Sequence, residues 1–351
     1  MEEWKTTRLG DIVRIGSGLA YKADYLGSGE ALLLGMGCVS FTEKFLRKGA
    51  RPYAGASEER YNVSPGDIVL ATRQQSDNLP ILGMPAIIPD DYQGKRLIAG
   101  SNLYIVHNQS DIDNRFLYWL LKTPEYINHI SSCKTGTTVR MITKKDVESF
   151  IFKCPPKKER EKIADFLWSI EDKIDLNNRI NHNLEEQAQA LYKSWFIDFE
   201  SFKDGKFVDS DLGMIPDGWQ VKNLLEISQL FDSKRKPLSG KEREQMSKIY
   251  PYYGATSIMD YVDSYIFDGI YLLMGEDGSV MTEDGYPFLQ YVSGKFWPNN
   301  HAHVLQGANG FSTEMLHCAL LRKVVKSSVT GAVQAKISQA NMKKILLLSM
   351  N

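Results

Sequence analysis

Two histidines one residue apart, His301 and His303, have the most obvious chemical spacing in this chain. Alternate residues of a strand share a face, so such a pair could ligate a metal. No third ligand is evident in the sequence, which favours strand-end or DNA-facing histidines instead. "PDDYQGK" (Pro89–Lys95) with "EDK" (Glu171–Lys173) imitates a PD…(D/E)xK nuclease. That triplet falls in a helical pattern, not on a strand converging with Asp90. "IGSGLA" (Ile15–Ala20) holds a GxG but neither the third glycine nor the acidic residue of a dinucleotide fold, and reads as a turn. No GxxxxGK[ST] phosphate loop occurs, nor the [DNS]PP[YF] of adenine methyltransferases; Pro155-Pro156 reads as a strand terminator. No Ser-His-Asp or Cys-His constellation can be assigned from spacing. The expectation is a chain that makes or breaks no covalent bond.

Binding chemistry is better represented. "TRQQSDN" (Thr72–Asn78) follows an apolar run and offers Arg73, Gln74, Gln75, Ser76 and Asn78. Such side chains read base edges, arginine pairing with guanine and glutamine or asparagine with adenine. Lys134, Thr137, Arg140, Lys144 and Lys145 crowd one later stretch; Gln334, Lys336, Lys343 and Lys344 crowd another. "DSKRKP" (Asp232–Pro237) adds Lys234, Arg235 and Lys236, suited to phosphates. A solvated surface is the plain alternative for any one cluster. Recurrence at related places in both halves of the chain weighs against it.

The elements that would position these residues come as a repeat. "SCKTGTTVRMITKKDVESFIF" (Ser132–Phe152) and "SSVTGAVQAKISQANMKKILL" (Ser327–Leu347) align without a gap, pairing Gly136 with Gly331, Ile142 with Ile337 and Thr143 with Ser338. Thr143 with Asp146 makes a capping box, and Ser338 with Asn341 a weaker one. Upstream, Trp4 answers Trp219, each leading into a small helix and then a strand. "YNVSPGDIVLATR" (Tyr61–Arg73) answers "YIFDGIYLLMGEDG" (Tyr265–Gly278), each a turn followed by a buried strand. In each copy a further strand then leads into a helix, with Phe116, Leu117, Leu120 and Leu121, or Met315, Leu316, Ala319 and Leu320. The second copy is about 20 residues shorter, a loss expected in loops.

Between the copies, the stretch after Pro155-Pro156 lacks Gly and Pro as far as Trp195. Ile163, Leu167, Ile170, Ile174, Leu184, Ala188, Leu191 and Trp195 recur by threes and fours, with Asn177 and Asn181 in the same register. That predicts a helix of roughly 37 residues, about 55 Å long, with a coiled-coil seam and a polar interruption. The fold class expected is α/β (α+β): two repeated globular domains, residues 1–154 and 218–351, separated by a long helix at 155–200 and a turn-rich linker at 201–217.

Composition is consistent with this. The 351 residues are 43% hydrophobic and 24% charged, an ordinary globular balance. The formal net charge is -1, so a DNA-binding face must come from local clustering. Cys38, Cys133, Cys154 and Cys318 form no CxxC, which argues against a zinc site or a disulfide framework and fits a reducing cytoplasm. No apolar run reaches the roughly 18 residues of a membrane span, and the start does not resemble a signal peptide.

Two marks place the chain beside a known family. One is P-P-x-x-E-x-x-x-I-x-x-F-L…D, here Pro155, Pro156, Glu159, Ile163, Phe166, Leu167 and Asp172; the other is I-P-x-G-W, here Ile215, Pro216, Gly218 and Trp219. With the two copies, they make the chain resemble the DNA-specificity subunit of a type I restriction–modification system. The resemblance implies that each globule is a target-recognition domain reading one half of a bipartite site in double-stranded DNA. It implies that the helix seam (Ile163, Leu167, Ile170, Ile174, Asn177, Asn181, Leu184, Leu191, Trp195) sets the spacing and docks modification subunits. Those subunits would carry S-adenosylmethionine, and a restriction subunit would carry ATP and magnesium, leaving no cofactor to this chain. A full family member has a second such helix after the second domain, whereas this sequence stops at "KKILLLSMN". A homodimer through the central helix is therefore also expected. A stand-alone DNA-binding or decoy protein and a coiled-coil scaffold that binds no DNA remain open.

Overall fold

Ile68, Val69, Leu70 and Ala71 are all fully buried, as their uninterrupted apolar run requires of a strand covered on both faces. In the computed structural model, which describes residues 3–75, 80–331 and 334–350, this strand lies inside a four-stranded sheet. Leu103–Asn108 and Pro85–Ile87 flank it antiparallel, and Val13–Ser17 lies beyond Leu103–Asn108. The helix Asn114–Leu120 packs on the sheet through Phe116, Leu117 and Leu120. A second sheet, centred on Leu26–Leu34 and Leu97–Ala99, completes the unit Met1–Asn178. Lys5–Arg8 closes the unit by pairing antiparallel with Ile151–Cys154. Thus the residues after Trp4 form a strand, then a short 3-10 turn, then a strand; the first of these is not visible in the sequence pattern.

The unit Arg179–Asn351 repeats the plan. Phe267–Gly275 is its central strand, between Ala302–Gly307 and Leu289–Pro298 in a six-stranded sheet. The helix Thr313–Leu321 packs there through Leu316, Ala319 and Leu320. Gln220–Asn223 pairs with Leu346–Ser349, matching the closing pair of the first unit. Within the linker, Phe207–Val208 and Ile215–Pro216 form a two-residue ladder.

The long helix runs Lys157–Phe196, 40 residues. Pro155 and Pro156 end the preceding strand, and the Pro156 carbonyl accepts the first helical N–H, from Glu159 at 2.9 Å. Its early turns belong to the first unit: Ala164 is buried there, with Ile163 and Trp168 packed alongside. Lys44 reinforces this packing, pairing with Asp175 at 2.7 Å and lying 4.8 Å from the Trp168 ring. The last turns belong to the second unit, where Tyr192 and Phe196 stack and Phe196 meets Trp219.

Sequence periodicity marks a neighbouring stripe of this helix, beginning at Ile163 on the packed side. Ile170, Ile174, Leu184, Leu191 and Trp195 are exposed, together with Phe166, and only Ile163 and Leu167 at the start are half-buried. Asn177 and Asn181 are exposed along with them, and Ala188 is half-buried. The helix therefore carries two apolar faces, one packed on its own units and one open. No described helix is long and apolar enough to cross a membrane, and all four cysteines are free thiols.

Candidate nucleic-acid interface

Both central strands end at the same device. In the first unit, Ile142 N–H donates to the Thr72 carbonyl at 3.3 Å, just past the strand end. Arg73 and Gln74 then pair with Met141 and Arg140. The loop before that ladder is pinched shut by Thr135 N to Met141 O at 3.0 Å and Met141 N to Thr135 O at 2.9 Å. In the second unit, Ile337 N–H donates to the Glu276 carbonyl at 2.9 Å and Asp277 bridges to Lys336. Its loop closes through Thr330 N to Lys336 O at 2.8 Å and Lys336 N to Thr330 O at 2.7 Å.

The repeated glycine is dictated by this loop. Gly136 has φ +91° and Gly331 φ +95°, in the left-handed region that side chains resist. A Cβ would stand 2.2 Å from Val139 O in one and 2.0 Å from Gln334 O in the other. After each loop comes a helix of a single turn or so. Thr143 caps Lys144–Glu148 as expected, giving and taking the capping-box bonds with Asp146, and Ser338 caps Gln339–Met342 by accepting from Asn341 N.

Around the first loop, the structure gathers the basic residues singled out in the first copy. Arg73 and Gln75 are exposed at the strand end, and Lys134 and Thr137 are exposed on the loop. Arg140 donates to Gly136 O at 2.7 Å, bracing the loop. Lys145 is exposed and Lys144 half-exposed on the capped turn. Gln74 departs from the expectation of a base reader. It is buried, and its Oε1 accepts from Leu82 N at 3.2 Å, so it fixes the neighbouring turn. Ser76 and Asn78 lie outside the described residues.

The second unit differs more. Gln334, Lys336 and Lys343 are exposed, Lys336 pairing with Glu276 at 3.2 Å. Lys234 and Lys236 are exposed, the former lying 5.2 Å from the Phe231 ring. Arg235, expected to contact phosphate from the same loop, turns inward. It donates to Glu276 at 2.7 Å and to the Ala302 carbonyl at 2.6 Å, and faces Asp232 at 3.3 Å. A guanidinium beside two partly buried carboxylates is held as their counter-ion, which sequence spacing could not reveal.

The two histidines do not converge on one site. His301 precedes the strand and pairs with Asp277, while His303 is fully buried. His303 donates from Nε2 to the Ile337 carbonyl at 2.7 Å and meets Asp232 through Nδ1 at 2.6 Å. Asp232, Glu276 and His303 do come close enough for one ion, but Arg235 and Lys336 already supply positive charge to both carboxylates. Burial by itself raises the Asp232 carboxyl. Hydrogen bonds from His303, Val304 N–H and Gln339, with the charge of His303, outweigh that and hold it below the usual carboxylate range.

Comparison with known proteins agrees with this duplicated plan. The family described as "Type I restriction modification DNA specificity domain" matches residues 1–186 and 216–347. The chain is 30% identical over 206 residues to the type I restriction enzyme HindI specificity subunit of Haemophilus influenzae, covering 57% of this chain and 42% of that protein. It is 37% identical over 129 residues to the MjaIX specificity subunit of Methanocaldococcus jannaschii, covering 35% of this chain and 29% of that one. The chain thus spans less than half the length of each of these two relatives. In fold it is similar to the type I restriction-modification S subunit of M. genitalium, with TM-score 0.53 and 15% identity, covering 99% of this chain and 84% of that one. The family match falls on both copies of the repeat, and this chain belongs to the type I restriction modification DNA specificity domain family.

Proposed function

We propose that the chain is the sequence-specific DNA-binding subunit of a type I restriction–modification complex, each unit reading one half of a bipartite site in double-stranded DNA. The observation that carries this reading is the duplicated strand-end loop. It presents Arg73, Gln75, Lys134 and Thr137 in one unit and Gln334, Lys336 and Lys343 in the other on a clamped backbone. Rigid presentation of polar side chains is what base readout needs, and nearby lysines supply phosphate contacts that fix register.

The open stripe of the long helix, from Phe166 through Ile174 to Leu191, is the surface proposed to dock modification subunits, or a second copy of the chain where these are lacking. In this reading the chain performs no catalysis. S-adenosylmethionine, ATP and magnesium belong to the modification and restriction subunits. Long-read detection of methylated adenine in a host expressing the chain with its modification partner tests the proposal, the expected result being one bipartite motif. Replacing residues 1–150 by another member's first domain should change one half of that motif. A change in both halves, or no motif, would overturn it.

A further inference from the structure

The two repeats put opposite chemistry on the same rung. In the first unit Arg73 stands opposite Met141 beside the glycine loop; in the second, Asp277 stands opposite Lys336. The Asp277 carboxylate takes a hydrogen bond from His301 Nδ1 through one oxygen, with side-chain exposures of 19% and 46%. His301 is itself fixed from both sides, its N–H donating to Asn299 Oδ1 at 2.7 Å and its carbonyl accepting from Glu276 N at 2.8 Å.

Nearby charges are otherwise committed. Glu276 meets Arg235 and Lys336, and Asp232 meets His303 and Arg235. Asp277 behaves differently from the acids that hold this fold together. Asp232 accepts Val304 N–H and Asp146 accepts Thr143 N–H, whereas Asp277 accepts no backbone N–H among the described residues. Its second oxygen also has no hydrogen-bond partner among them.

An oriented carboxylate can only accept. In the major groove it selects the exocyclic amine of cytosine N4, because adenine sets its N7 acceptor beside N6, and it opposes the acceptors of guanine and thymine. Arginine does the reverse, selecting guanine. Close to phosphates a carboxylate is unfavourable unless such an amine meets it. We infer that Asp277, oriented by His301, is a specificity-determining residue of the second unit and selects an amino-bearing base where Arg73 selects guanine in the first. The inference rests on the reading of both units as DNA readers.

Selection from random duplex DNA tests it, using the full chain alone and with its co-expressed modification subunit. Wild type should enrich a bipartite motif with cytosine at the position Asp277 governs. Asp277→Asn keeps the shape but can donate as well as accept. It should weaken that single preference by about tenfold, while the other half-site stays as in wild type. His301→Gln should soften the same position, and Arg73→Ala should alter only the opposite half. An Asp277→Asn motif identical to wild type at every position, with Arg73→Ala changing one half, overturns the inference and leaves the DNA reading intact. Loss of cooperative melting in the second unit on Asp277→Asn would assign the residue to the fold and also overturn it. A wild-type chain that enriches no motif defeats the DNA reading itself, and this inference with it.

Discussion

Tyr104 and His303 occupy the same position in the two repeats. Tyr104 follows Leu103, which pairs with Ala71; His303 follows Ala302, which pairs with Gly275. The Tyr104 hydroxyl donates to the Ile142 carbonyl at 3.0 Å, and His303 Nε2 donates to the equivalent Ile337 carbonyl at 2.7 Å. Two unlike side chains thus serve as one strut, holding the reading loop against the end of the central strand.

The struts should differ in their contribution to stability. Tyr104→Phe removes one hydrogen bond and should cost about 1 kcal/mol in denaturant unfolding of the first unit. His303→Ala also takes a hydrogen bond from buried Asp232, which keeps Arg235, the Val304 N–H and Gln339, and about 2–3 kcal/mol is expected. Equal costs would show that the Asp232 network does not act as a unit.

The same network gives the second unit an acid dependence. Because the folded Asp232 carboxyl lies below its usual range, its contribution is present above the unfolded value of about 3.9 and is lost as pH falls through the folded one. Unfolding of the second unit should therefore steepen below about pH 4. Asp232→Asn should flatten that limb in melts taken across pH 2–5, while lowering stability near neutrality.

Gly136→Ala and Gly331→Ala should each strain one loop, at about 1–3 kcal/mol, from the positive φ and the close approach of a carbonyl. Each substitution should impair DNA selection at its own half-site only. Alanine tolerated at both without change in binding would mean that the loops need not hold this shape.

Phosphate and base recognition should separate by salt. Lys134, Lys144 and Lys145 changed to alanine should weaken binding to cognate and random DNA alike, lowering the salt slope by about 0.9 for each phosphate no longer neutralised. Arg73→Ala should instead lower the ratio between the two. An equal weakening on both DNAs would move Arg73 into the phosphate group.

The open helix stripe predicts association. Each large apolar side chain fully buried contributes roughly 1.5–3 kcal/mol. Light scattering over a concentration series should show the isolated chain pairing, and Ile170→Glu with Ile174→Glu should abolish it. Asn177→Leu with Asn181→Leu should strengthen pairing while loosening its register. A chain monomeric at every concentration would count against self-association and leave the stripe to a different protein.

What the sequence determined was whatever depends on local chemistry. The helix from Lys157 is legible because Gly and Pro are missing and Pro155-Pro156 marks its start. The capped turns at Thr143 and Ser338 are legible because capping is a matter of three residues. Gly136 and Gly331 betray their loops because only glycine accepts that backbone easily. Direction in space was not legible. Arg235 follows Lys234 directly, yet turns inward because Asp232 and Glu276, far apart in sequence, meet there. Gln74 sits next to Arg73 but is drawn into the turn at Leu82. The helix periodicity finds its open stripe and misses the face of Ala164, Tyr192 and Phe196, because a 3.6-residue period says that a face is apolar without saying what covers it. Asp277 gives no basic or amide signal, and only the ladder that sets it on the rung of Arg73 shows its place.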